Sequence, residues 1–99
     1  MDITLLSIKD FESQLNQFFK IQISPELQLN AQLIEVTELK NYSQMARTPF
    51  SVVFRTEQKN EYYEQGIFTV IHPQKGNFDL FLSPLGFDNV GMKYEAVFS

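Results

Sequence analysis

The chain has no cysteine, no tryptophan and a single histidine, and each shortage removes a class of chemistry. Without cysteine there is no disulfide, no thiolate metal site and no thiol nucleophile, a usage compatible with the cytosol. A catalytic histidine would have to be His72. Basic residues are scarce too: eight Lys and Arg against twelve Asp and Glu leave a formal charge of -4 and a sequence pI near 4.8. A phosphate-binding surface needs a concentrated basic excess, so nucleic acid is not expected as a partner. No apolar run approaches about 18 residues, and the opening Met1-Asp2-Ile3-Thr4 is not the basic cluster and apolar stretch of an export signal. A soluble, cytoplasmic protein with no membrane partner is the expectation.

What is present is apolar bulk and alternation. The 99 residues are 43% hydrophobic, with ten phenylalanines and four tyrosines, enough for one core in a single domain over 1–99 without disulfides or metal. The stretches FSVVFR (50–55), QGIFTVIHPQKGNFDLFLSPLG (65–86) and GMKYEAVF (91–98) alternate apolar and polar residues between turn signals, which predicts strands half-buried on a core. Phe19, Ile21 and Ile23 do the same before Pro25. From Leu27 the odd positions are apolar, but Ile34 and Val36 are even, so a bulge or bend is expected at Leu33-Ile34.

Ser7 precedes Ile8, Phe11, Leu15 and Phe18 at helical spacing, with Asp10 placed to complete a capping box. One amphipathic helix, its stripe against the strands, is predicted over roughly 7–16. Pro73-Gln74-Lys75-Gly76-Asn77 reads as the turn of a hairpin. Directly paired antiparallel residues share a face, so Val70 must stand opposite Leu80 or Phe78; a slip by one residue would turn one strand inside out. Pro84, Gly86 and 87–91 read as the next turn, and Met92, Tyr94, Ala96 and Phe98 as the last inward face.

Candidate chemistry is thin. His72 has no Gly-x-Ser-x-Gly turn to serve, although Ser51 or Ser83 with Asp79 would be its formal partners. Glu57, Glu61 and Glu64 flank Tyr62 and Tyr63 but lack the loop that fixes calcium geometry, and read as a solvated hairpin tip. Asp88-Asn89-Val90-Gly91 has the composition of a turn. No catalytic, cofactor-binding or metal residue is assigned, and no cofactor is expected.

The second sheet face carries Val53, Ile67, Ile71, Phe81 and Val97 among polar residues. Either the N-terminal helix and the early strands cover them, which a domain this small favours, or they form a contact surface. Phe81, Val97 and Ile67 are therefore candidate interaction residues. Tyr42 and Arg47, in the aperiodic loop Asn41 to Pro49, are the others.

The series Phe50-Ser51-Val52-Val53-Phe54-Arg55, Gln65-Gly66-Ile67-Phe68, His72-Pro73, Gly76, Leu80-Phe81-Leu82-Ser83-Pro84-Leu85-Gly86 and Gly91-Met92-Lys93-Tyr94-Glu95-Ala96-Val97-Phe98 resembles a family of small bacterial proteins classed as a domain of unknown function. The resemblance implies an association with phage-tail-collar-like proteins, hence an accessory role in assembly, and supplies no catalytic residues.

Together these features predict a mainly β (α+β) fold: a strongly curved antiparallel sheet or small barrel of six to seven strands, with one N-terminal helix packed on it or plugging one end. The functional expectation is a non-enzymatic interaction module with a protein partner or self-association. Its alternative is a small-molecule binder or enzyme with a pocket near His72 and the Tyr62-Tyr63 tip at the barrel mouth.

Overall fold

Alternation and curvature close the sheet on itself. The computed structural model describes residues 3–40 and 48–99. A 3-10 turn (Ile3–Leu5) and the short helix α1 (Ile8–Glu12) precede six strands: β1 (Phe18–Ser24), β2 (Leu27–Glu38), β3 (Phe50–Arg55), β4 (Gly66–His72), β5 (Gly76–Phe87) and β6 (Met92–Phe98). They form a closed antiparallel barrel in the order β1-β2-β3-β6-β5-β4. The closing seam between β1 and β4 is short, running from Lys20↔Ile71 to Gln22↔Thr69. A closed barrel removes the long unpaired edges that an open sheet of this composition would expose.

The registers follow the apolar pattern. Val70 pairs with Phe78 and Phe68 with Leu80, the even register that keeps all four on one face. Gly76, at φ +84°, supplies the left-handed position of this hairpin. The ladder of β2 and β3 shifts between Leu33 and Glu35, leaving Ile34 as the extra residue of a bulge. Ala31 and Leu33 thus point inward before the bulge, and Val36 packs on the core after it.

Two boundaries differ from the sequence reading. The helix stops at Glu12, after which the bonds span three residues, Gln14 N–H to the Phe11 carbonyl and Leu15 N–H to the Glu12 carbonyl; Asn16 then takes a positive φ of 72°, and its N–H donates to the Leu33 carbonyl at 2.7 Å. The chain there is already entering the sheet. Leu15 and Phe18 consequently lie exposed instead of completing an apolar stripe. Pro84 does not end β5, which runs on to Phe87 through a register shift between Pro84 and Gly86. The β4 ladder has stopped at Gly66↔Leu82, so a proline without an N–H is tolerated on the side where β5 has no neighbour.

Inside, Phe11 plugs one end. Its ring is fully buried and lies 5.1 to 6.1 Å from those of Phe19, Phe50, His72, Phe78 and Phe98. Ser7 N–H donates to the Asp10 carboxylate at 2.8 Å, completing the N-terminal turn that aims Phe11 inward. The Asp10 carboxylate lies below its usual range: burial pushes it up, but the Ser7 N–H and the Lys75 ammonium, 3.5 Å away, together outweigh that. At the far end the β3–β4 connection, residues 56–65, crosses the barrel mouth as a strap. The reason is topological: β3 and β4 stand on opposite sides of the ring. The Glu57 to Glu64 segment is therefore not a hairpin tip.

Candidate functional site

His72 has the geometry of a staple. It is 2% exposed, and its ring packs against Phe11 and Phe19 at 5.8 and 5.0 Å. Nδ1 accepts the N–H groups of Gln74 and Lys75 at 3.0 and 3.1 Å, which leaves Nε2–H to donate to the Asp10 carbonyl at 2.7 Å. Both ring nitrogens are engaged, one fastening the β4–β5 turn and the other fastening α1. The Tyr62-Tyr63 pair belongs to the strap at the other end of the barrel, so the structure does not bring it to His72. The cavity beneath the strap is lined by Ile21, Ile23, Leu29, Tyr63, Phe68, Leu82 and Tyr94, and holds only about 10 Å³. That is space for one water at most. Among the described residues no group of His, Cys, Asp and Glu is placed to hold a metal ion. Among them, too, no helix is long and apolar enough to cross a membrane.

The strap is held by polar contacts. The Tyr94 hydroxyl accepts the Tyr63 N–H at 2.9 Å and donates to Gln58 Oε1 at 2.7 Å. Burial raises the Tyr94 phenol above its ordinary value, so it remains a donor through the neutral range. Tyr94→Phe should cost about 1–2 kcal/mol, because it strands the Tyr63 N–H and removes one of the two hydroxyls within reach of the Gln58 carbonyl oxygen. Urea unfolding with an unchanged m-value would check this.

Next to the strap, Asp88 organises the β5–β6 turn. Its Oδ1 accepts the N–H groups of Gly91 and Val90 at 2.9 and 2.8 Å, and Oδ2 lies 3.1 Å from Arg55 Nη1. The Gly91 and Val90 N–H groups first, then the Arg55 guanidinium, pull the carboxylate down from 3.8 to about 2. A depressed folded pKa means the stabilisation is complete above the unfolded value and is lost as pH falls from 3.8 to about 2. In an NMR titration of the folded protein the Val90 and Gly91 amides should move with a midpoint at about 2, and in Asp88→Asn they should not.

The outer face of β4, β5 and β6 carries the sequence-selected residues. Ile67 pairs with Phe81 across β4 and β5, and Val97 lies on β6 next to β5; the three are 72%, 52% and 60% exposed. Phe81 and Val97 line one depression of about 240 Å³ together with Ile3, Thr4 and Ser99. The helix does not cover this row. It is spent inside the barrel, where Phe11 fills the end, and only the 3-10 turn reaches the edge of the patch. Of the other two second-face residues, Val53 is buried and Ile71 half-buried, so the uncovered part is confined to β4, β5 and β6. Tyr42 and Arg47 lie outside the described residues.

A second apolar cluster joins the strap to β5. Tyr62 stands edge-on to Phe87 with ring centroids 6.4 Å apart, and Leu85 and Val90 are exposed nearby in the chain. Tyr62, Leu85 and Phe87 share one surface depression with Pro84, Gly86 and Met92. The signal was available in Leu85-Gly86-Phe87, but a strand assumed to end at Pro84 hides it.

The family model described as "Domain of unknown function (DUF6916)" matches residues 6–98. That span takes in α1 and all six strands. No curated protein and no solved structure matches the chain.

Proposed function

The chain belongs to the DUF6916 family, and we propose that its barrel serves as a non-enzymatic interaction module that docks a protein through Ile67, Phe81 and Val97. The observation that carries this reading is the row itself: three bulky apolar side chains on adjacent strands, each more than half exposed. In a chain this short, most apolar residues are needed inside, and a contiguous apolar patch left outside marks a contact surface. Burying one such side chain is worth about 1.5–3 kcal/mol, so three suffice for the centre of an interface. The engagement of both His72 nitrogens in structural hydrogen bonds also supports a non-enzymatic role. We place the module in the cytoplasm of a bacterium, as an accessory part of a tail-like multiprotein assembly; the resemblance of residues 50–98 supports that setting.

Phe81→Glu tests the reading. On an exposed strand position the change should alter stability by less than about 0.5 kcal/mol. Affinity capture of the tagged protein from its native cells should then lose the bound partner at least tenfold relative to the unaltered chain. If that partner is a second copy, the solution mass falls to that of the monomer. Capture of the same proteins in the same amount would sink the proposal.

A further inference from the structure

The strap and β2 leave a gap whose polar walls are only partly satisfied. The last paired residues of β2 and β3 at this end are Gln32 and Arg55, and beyond them β3 gives way to the strap. Toward its other neighbour β2 stays paired as far as Leu27, opposite Ser24 of β1. Main-chain groups along an antiparallel strand point alternately to its two sides, so within Leu27–Ala31 about half of them face the side that β3 has left. Gln28, Leu29, Asn30, Glu57 and Gln58 line a depression there of about 330 Å³.

Gln58 adds a second, independent observation. It is 8% exposed, and its Nε2, itself closed off from solvent, has no hydrogen-bond partner. The orientation of the amide is set by its neighbour: the Tyr94 hydroxyl already accepts the Tyr63 N–H and so donates to Gln58 Oε1. The Thr56 hydroxyl lies 3.1 Å from the same oxygen and 3.2 Å from the Met92 carbonyl, with one hydrogen for the two. Turning the amide over would leave the Tyr94 hydroxyl without an acceptor. The unspent donor is thus fixed on a residue that walls the gap, and a buried donor without a partner calls for an acceptor.

We infer that this gap is a binding site for an extended peptide segment, which continues the β2 ladder where β3 departs and, as the root of the strap yields to uncover it, presents a main-chain carbonyl to Gln58 Nε2. Strand addition matches the spacing of the free groups on β2, and the half-buried Leu29 gives one apolar side chain a floor. Glu57 in the wall disfavours an anionic ligand and can accept from the N–H groups of a peptide. The site lies on β2 and the strap, across the ring from β5, so it is independent of the Ile67-Phe81-Val97 row.

The test is an NMR titration of the full chain with the blocked peptide acetyl-Ala-Val-Ala-Val-Ala-amide, with glucose as a neutral polar control. The expected result is saturable movement of the Gln58 side-chain NH₂ and of the main-chain amides of Leu27–Ala31, with no saturation by glucose. Gln58→Glu keeps the acceptor for Tyr94 and removes the donor; it should weaken the peptide at least tenfold. Gln58→Met, which has no donor and no charge, should do the same if the carboxylate perturbs the strap. Phe81→Glu should bind the peptide unchanged, which separates this site from the outer row. A Gln58 NH₂ that contacts only an ordered water and ignores the peptide would overturn the inference, as would equal affinity in Gln58→Met or an equal response to glucose.

Discussion

Phe11→Ala should lower unfolding stability by about 3–5 kcal/mol, the range for removing a fully buried phenylalanine from a core that cannot collapse around the void. Collapse is blocked because the surrounding rings are held by separate strands: Phe19 on β1, Phe50 on β3, His72 on β4, Phe78 on β5 and Phe98 on β6. Phe50 and Phe98 already stack at 4.5 Å with their planes 8° apart, so they have little freedom to follow. A domain of this size has about 5–15 kcal/mol of stability in all, and the variant should lose a large part of it. The loss should be local in origin. Hydrogen exchange ought to quicken first at Gln74 and Lys75, whose N–H groups His72 holds, and later at the strap end. Denaturant unfolding followed by exchange of those amides separates this outcome from uniform destabilisation, which would argue against a plug.

Gly91→Ala should be about as damaging, at roughly 3 kcal/mol or more, for the opposite reason. A Cβ at that position would lie 1.8 Å from the Thr56 carbonyl oxygen and 2.8 Å from its carbonyl carbon, both backbone atoms that no rotamer can move. The contact exists because the Thr56 N–H donates to the Met92 carbonyl at 2.8 Å, drawing the root of the strap onto the start of β6. Thr56 Oγ1 lies 3.2 Å from the same carbonyl. Alanine must therefore separate the strap from the barrel or break the ladder beside it. Thermal unfolding of Gly91→Ala next to Tyr94→Phe ranks the two anchors, and the glycine should prove the larger. Near-wild-type stability for Gly91→Ala would mean that the strap does not lie on the barrel as described.

These two positions show where the sequence is informative. Phe11 is legible as an inward residue one turn after the capping box, although Leu15 and Phe18 at the same spacing lie exposed, and parity limits the hairpin to an even register without choosing between Phe78 and Leu80 opposite Val70. The bulge at Ile34 is legible too, because the apolar positions change from odd to even. Gly91 is not: a glycine after Asp88 and Asn89 reads as a turn residue, and only the fold reveals a backbone pressed against it. The strap is hidden for a similar reason. Its polar composition suits a hairpin tip equally well, and which connection it makes depends on β1 closing against β4, a contact between strands some fifty residues apart. Pro84 misleads because its missing N–H is harmful only beside a neighbour, and the pattern along one strand does not say where the next strand ends. The row Ile67, Phe81 and Val97 could be picked out from alternation, whereas its exposure had to wait for the helix to be found inside the barrel.

The claim that this row docks a protein is tested most directly by a photo-crosslinking residue introduced in native cells at position 81, with Asp79, on the same strand and exposed, as the control position. The account predicts one dominant cross-linked species from position 81, identified by mass spectrometry as a defined partner or a second copy of the chain, and little or none from position 79. Equal, diffuse cross-linking from both positions, or none from position 81, would contradict it.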